Sequence, residues 1–341
     1  MKKRIKILIV DDSLVFRQTL ARGIAQDPAL VVVATASDPY SARDRIIDFE
    51  PDVMTLDLEL PRMNGVEFLK RLMPQYPIPV VIVSSATSQV FDALDAGAVV
   101  IVIKPESKNS SIASFYNELI VKIKIASMAR VDHWKSQRVP RVNYQLDGQV
   151  SNKIVAIGAS TGGTEAILEV LSKFPCDAPG TLVVQHMPAG FTQMYAQRLN
   201  SLCAMEVKEA SDGDRLYPGR VLIAPGDYHM RIRRTGSVYS VECRAGDKVC
   251  GHCPSVEVMF KSVAEQAGRN AIGVLLTGMG HDGAHGLLAM RRRGAHTIGQ
   301  DEETSIVYGM PKTAYEIGAV ERQLPLNKIP QQVFAWLTGS A

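Results

Sequence analysis

The chain has 341 residues, 46% hydrophobic and 21% charged, a composition that excludes a fibrous, disordered or one-module protein and leaves room for two globular domains. Thirty-eight basic against 35 acidic side chains give a net charge of +3, and no segment concentrates it into the basic footprint of a nucleic-acid or acidic-membrane binder. The positive start Met1-Lys2-Lys3-Arg4 leads only into the short apolar run Ile7-Leu8-Ile9-Val10 before Asp11-Asp12, too little for a secretory signal, and no apolar stretch approaches a membrane span, so a cytoplasmic protein without membrane insertion is expected.

Short β-branched runs at 5–10, 31–36, 53–56, 80–83 and 99–103 alternate with helical periods such as 13–26, 65–73 and 112–123. Unbroken apolar strands are buried on both faces, which predicts a parallel sheet; five strands and five helices predict a doubly wound domain over residues 1–125. The pattern lapses over 126–152, which reads as a linker. A second α/β series fills 153–341, with strands at 153–158, 180–185, 220–224, 272–276 and 295–298. Alternating polarity over 237–243 predicts an antiparallel edge strand. The fold class is α/β throughout: a flavodoxin-like (βα)5 unit, then a doubly wound, mostly parallel unit that does not repeat the first.

In an open parallel sheet the functional crevice lies beyond the carboxyl ends of the strands. Asp11 and Asp12 end the first predicted strand, Asp57 the third, Ser84 the fourth and Lys104 the fifth. Carboxylates gathered there suit a hard cation such as magnesium, which takes oxygen ligands and keeps several waters. A lysine beside them can pair with a phosphoryl oxygen. Each position alone reads as a turn or cap. Together, and with Leu60-Pro61-Arg62-Met63-Asn64-Gly65 and Lys104-Pro105, residues 5–125 resemble a response-regulator receiver domain. The resemblance implies that Asp57 accepts a phosphoryl group from a histidine kinase. It also implies that Asp11, Asp12, Asp57 and the backbone carbonyl of Glu59 hold Mg2+, and that Ser84 and Lys104 sense the phosphoryl group. Ile101 departs from the aromatic residue many receivers carry there, so an aromatic-rotamer switch is not expected.

The first strand of the second series runs into Gly158-Ala159-Ser160-Thr161-Gly162-Gly163. Its glycines invite a phosphate-cradle reading, yet the spacing matches neither Gly-x-Gly-x-x-Gly nor a lysine-bearing P-loop. It fits Gly-x-Ser-x-Gly, a sharp turn that presents a serine hydroxyl at a helix N-terminus. His186 ends the next predicted strand and can serve as general base; the plain alternative is a hydrogen-bonded loop histidine. In Thr277-Gly278-Met279-Gly280-His281-Asp282-Gly283, Asp282 can fix the imidazole tautomer while glycine-turn amides bind an oxyanion. His281 and His285 are taken as rim residues. The order Ser160, His186, Asp282 differs from that of an α/β-hydrolase, whose acid lies between serine and histidine.

These stretches, with Gln185-His186-Met187-Pro188, Ala224-Pro225-Gly226-Asp227-Tyr228-His229-Met230, Pro254-Ser255-Val256-Glu257, Gln300-Asp301-Glu302-Glu303-Thr304 and Tyr308-Gly309-Met310-Pro311, make residues 153–337 similar to the catalytic domain of the chemotaxis protein-glutamate methylesterase (CheB) family. The resemblance implies Ser160 as nucleophile, His186 as base and Asp282 as orienting acid, with Thr161 and the Met279 backbone close by, and no cofactor for catalysis. It implies methylated chemoreceptors as substrate, with glutamyl methyl esters hydrolysed and receptor glutamines deamidated, by a monomer under phosphorylation control. The cysteine pair Cys250 and Cys253 departs from what that family leads one to expect, and Cys250-Gly251-His252-Cys253 is weighed as a metal knuckle against plain loop residues among five free thiols. Two other readings remain: a receiver-controlled adaptor without catalysis, which would need a missing triad member, and a DNA-binding output. Only Arg291-Arg292-Arg293 hints at the latter, and it reads as a solvated helix face.

Overall fold

The computed structural model describes residues 4–85, 89–105, 112–131 and 153–339. The chain divides into two compact units, Met1–Gln137 and Arg138–Ala341. Most of the linker expected over 126–152 lies outside the described residues.

In the first unit, β1 (Ile5–Val10), β2 (Leu30–Ala36), β3 (Val53–Leu56), β4 (Val80–Ser84) and β5 (Val100–Ile103) alternate with helices. They pair in the order β2-β1-β3-β4-β5, parallel at every junction. Ile7, Leu8, Ile9, Met54 and Ile82 are fully buried, because helices cover both faces, as unbroken apolar strands require. The strand order reverses between β1 and β3, and there a doubly wound sheet opens its crevice. Ser13 accepts from the Phe16 N–H to start the helix Leu14–Ile24, and Asn64 accepts from the Glu67 N–H to start Gly65–Leu72, each satisfying an otherwise orphaned helix donor.

In the second unit the strands are β6 (Ile154–Ala159), β7 (Gly180–Gln185), β8 (Glu206–Glu209), β9 (Arg215–Leu216), β10 (Arg220–Ile223), β11 (Tyr228–Thr235), β12 (Val238–Ala245), β13 (Ala271–Leu275), β14 (His296–Gln300) and β15 (Arg322–Leu324). Seven form one sheet in the order β15-β14-β13-β6-β7-β10-β8, every pair parallel. The order reverses at β6, which has β7 on one side and β13 on the other, so the ends of β6, β7 and β13 share one rim. A core of Ala156, Leu182, Val184, Phe260 and Leu287, among others, supports that rim from below.

The edge strand expected at 237–243 is instead β12, the middle of a three-stranded antiparallel sheet ordered β11-β12-β9. Its alternation buries Tyr239, Val241 and Cys243 beside Met230 and Ile232 of β11. The arginines of β11 hide that partner in the sequence. Arg291 donates to the carbonyls of Gly318 and Val320, so the first of the three arginines ties its helix end to the loop before β15. Among the described residues no helix is long and apolar enough to cross a membrane.

Candidate functional site

In the first unit, Asp11 follows β1 and Asp57 follows β3, on either side of the reversal. Both are buried, while Asp12 is exposed. Ligand oxygens of the three lie within 4.8 Å of one another, and among the described residues this is the one such gathering of His, Cys, Asp or Glu. Hard oxygen donors at that spacing fit magnesium. Lys104, delivered by β5, places its ammonium 2.7 Å from Asp11 Oδ2 and 2.5 Å from Asp57 Oδ2, and 4.6 Å from the centre of the Phe16 ring. Burial pulls that ammonium down, but hydrogen bonds and attraction from the two aspartates outweigh it and its pKa lies above the ordinary value. For Asp11 burial wins over the Lys104 contact, and its carboxyl is raised. The Glu59 N–H donates to Asp57 Oδ1 at 3.3 Å. Ser84 is fully buried at the end of β4.

In the second unit, buried β6 ends at Ala159 and the chain turns through Ser160. Gly162 holds φ +75°, left-handed backbone that a side chain disfavours, and a Cβ there would come 2.6 Å from Ile306. At Gly163 a Cβ would lie 2.1 Å from Gln185 Oε1. One glycine is thus needed for its torsion and the other for close packing, and between them they set the turn that carries the serine.

Ala159 is in register with Gln185 across β6 and β7, so Ser160 and His186 occupy neighbouring strand ends, and the His186 N–H donates to the Ala159 carbonyl at 3.2 Å. The Gln185 amide nitrogen donates to Ser160 O at 2.8 Å and to His186 O at 3.2 Å. A single buried NH2 group clamps the backbones of both residues. From β13, Thr277 O accepts the Ser160 N–H at 3.0 Å, and a Cβ on Gly278 would fall 2.7 Å from Ser160 Cβ.

Asp282 stands on the turn after β13, 1% exposed. Its Oδ2 lies 2.7 Å from His186 Nε2 and accepts the Val256 N–H at 2.8 Å. Its Oδ1 accepts Ser255 Oγ–H at 2.7 Å and the Glu257 N–H at 2.9 Å. The carboxylate therefore caps the helix Val256–Gln266, whose N-terminal amides favour negative charge. Burial alone would push its pKa up, yet the His186 contact, the Glu257 amide and the Ser255 hydroxyl more than offset this and hold it below the usual range. Ser255 is steadied in turn by His229, whose Nδ1 accepts the Ser255 N–H and whose Nε2 bonds the Asp247 carbonyl.

An ionised Asp282 can only accept, so the neutral His186 ring carries its proton on Nε2 and its lone pair on Nδ1. Nδ1 is buried and has no hydrogen-bond partner among the described residues. The structure thus brings His186 and Asp282 into direct contact and sets Ser160 on the adjoining strand end, with its hydroxyl not bonded to Nδ1. Thr161 is buried, with its carbonyl accepting from Thr277 Oγ1 at 3.0 Å, and Met279 is exposed at the turn after β13. His281 and His285 are exposed, in keeping with a rim position.

Sequence reasoning missed three contributors. Gln185 and Ser255 were visible only as members of motifs, with no role attached. The third is His252, whose ring stacks on His186 with centroids 3.6 Å apart. The metal-knuckle reading is set aside: Cys250, His252 and Cys253 form no ligand cluster among the described residues. The reason is local, because Val249 and His252 pair as an antiparallel bridge and the His252 ring engages His186.

A family profile described as CheB methylesterase matches residues 155–333, and one described as response regulator receiver domain matches residues 7–115. A protein of Syntrophomonas wolfei, named protein-glutamate methylesterase/protein-glutamine glutaminase 2, is 59% identical over 335 residues, 97% of each chain. A protein-glutamate methylesterase/protein-glutamine glutaminase of Syntrophotalea carbinolica is 53% identical over 98% of each chain. The crystal structure of the Thermotoga maritima CheB methylesterase catalytic domain aligns at 38% identity with a TM-score of 0.53, covering 56% of this chain and all of that one.

Proposed function

The chain belongs to the CheB methylesterase family, a hydrolase unit behind a response-regulator receiver, and from that premise we propose that Ser160, His186 and Asp282 hydrolyse glutamyl γ-methyl esters on chemoreceptors and deamidate receptor glutamines. The observation that carries this reading is the His186–Asp282 contact of 2.7 Å, which leaves Nδ1 as the proton acceptor beside the turn that bears Ser160. Ser160 and His186 sit at neighbouring strand ends tied by the Gln185 amide, and the serine hydroxyl is the group that nitrogen would accept a proton from in the reaction.

In the forward step Ser160 Oγ bonds to the ester carbonyl carbon as its proton passes to His186 Nδ1. The imidazolium forms against Asp282, whose charge is already held by the helix Val256–Gln266. The oxyanion is assigned to the backbone amides of Thr161 and Met279, which follow Ser160 and Gly278 in the two glycine-rich turns. The C–O bond to methoxide breaks, Nδ1 returns the proton, and methanol leaves. Water then attacks the acyl-serine by the same exchange, releasing glutamate and restoring Ser160. With a glutamine the leaving group departs as ammonia.

In the receiver, Asp57 is the phosphoryl acceptor, supplied by a histidine kinase. Asp11, Asp12, Asp57 and the Glu59 carbonyl would hold Mg2+, which when bound supplies charge neutralisation for the incoming phosphoryl group. Lys104, shared between Asp11 and Asp57, and the Ser84 hydroxyl are the groups positioned to read the phosphoryl oxygens. The adaptor alternative needs a missing triad member, and all three are present. Ser160→Ala should lower methanol release from membranes bearing a methylated chemoreceptor by about a thousandfold or more; near-wild-type release would refute the triad.

A further inference from the structure

The mechanism above makes no use of the turn Val249-Cys250-Gly251-His252. Its ends are joined by two hydrogen bonds of 3.0 Å, Val249 N–H to His252 O and His252 N–H to Val249 O. Both central residues are left-handed, Cys250 at φ 52° and Gly251 at φ 85°, the requirement of a two-residue hairpin turn whose strands keep their twist. Cys250 carries a conformation that costs a non-glycine residue free energy, and such backbone persists only where its surroundings fix it. What the turn delivers is the half-buried ring of His252, laid on the ring of His186 at 3.6 Å between centroids and 13° between planes. Cys253, Pro254 and then Ser255 follow, and Ser255 donates to Asp282. One short segment therefore meets both the base and the acid that orients it.

We propose that His252 is a positioning residue for the hydrolysis, holding the plane of the His186 imidazole so that Nδ1 meets the serine while Nε2 stays on Asp282. The inference rests on the hydrolase reading of Ser160, His186 and Asp282. Asp282 fixes one atom of the ring, and one hydrogen bond leaves the ring free to tilt about that contact. The Cβ–Cγ torsion of histidine has only broad minima and gives little restraint of its own. The Gln185 clamp acts on main-chain carbonyls and does not touch the ring. A flat partner at van der Waals distance closes off one face, and a misplacement on the order of 1 Å at a reacting atom costs about a hundredfold in rate.

The test uses the full-length protein and receptor membranes, with kcat and KM measured separately for His252→Ala, His252→Leu and His252→Phe. Covalent labelling of Ser160 by a fluorophosphonate reports the serine–histidine pair without receptor. The Ala and Leu variants are expected to lose about 10- to 100-fold in kcat, with KM within about twofold and labelling slowed in parallel. The Phe variant, which keeps a planar face, is expected to stay within a few-fold of wild type. Leu fills similar space without a flat ring, so it serves if the Ala variant unfolds. Equal rates for Leu and Phe, or a folded Ala variant within twofold of wild type, would overturn the inference. Ser160→Ala is run alongside: activity in that variant sinks the hydrolase reading, whereas a dead Ser160→Ala beside fully active His252 variants sinks only the role of His252.

Discussion

Gln185 and Asp282 show how much of this site depends on residues that never touch a substrate. Gln185→Leu keeps the volume but removes the donor shared by Ser160 O and His186 O, so the two strand ends lose their common tie. The expected result is a fall of about 10- to 100-fold in kcat, an unchanged KM, and a loss of about 1–3 kcal/mol in stability from the stranded carbonyls. Steady-state kinetics with thermal unfolding of the same sample separates the two effects, and a raised KM would contradict the positioning role. For Asp282 the carboxyl is held below its unfolded value of 3.8. A depressed acid contributes stability that is complete above the unfolded pKa and is lost as pH falls through the folded one. The stability difference between wild type and Asp282→Asn should therefore be constant above about pH 5 and shrink below pH 4, and unfolding titrations across that range would show it; a gap that widens on acidification would contradict the assignment. None of this cradle was legible in the sequence, because Ser255, Val256 and Glu257 reach Asp282 only through tertiary packing.

At the scale of elements, the Gly278 turn packs directly against Ser160. A Cβ there would meet Met310 Sδ at 2.4 Å and Ser160 Cβ at 2.7 Å. Methionine can yield, since its thioether end is flexible, but Ser160 is anchored through its own amide to Thr277. Gly278→Ala should therefore displace the serine and lower kcat by about a hundredfold or more while the sheet remains folded. Circular dichroism beside activity measurements checks this, and an active, folded variant would show that the turn is slack. The strands framing both sites were readable because full burial on two faces leaves a run of β-branched residues. β8, β11 and β15 were not, since Glu206, Arg231, Arg233 and Arg322 face outward and break any apolar run. At Cys250–Cys253 the spacing left a ligand set and a plain loop both open, and the left-handed turn at Cys250 and Gly251 that presents His252 to His186 is not visible in spacing.

At the scale of the whole molecule, Asp57 and the Ser160 turn belong to different compact units, each with its own parallel sheet. Their chemistries need different things. In the proposed reading, Asp11, Asp12 and Asp57 offer oxygen ligands to a hard cation, while Ser160, His186 and Asp282 work by proton transfer with backbone amides. Chelation should therefore separate them: EDTA should abolish stimulation of methanol release by acetyl phosphate plus Mg2+ and leave the unstimulated rate within about twofold, because no step at Ser160 calls on the metal site. Asp57→Asn should show the same loss of response with Mg2+ present, since the carboxylate that would take the phosphoryl group is gone. A phosphoryl group adds nearly two negative charges at a buried site where Lys104 already faces Asp11 and Asp57, enough to shift that arrangement and whatever element depends on it. An equal response of Asp57→Asn and wild type would place the control elsewhere, and a collapse of the unstimulated rate in EDTA would tie the hydrolase itself to a metal.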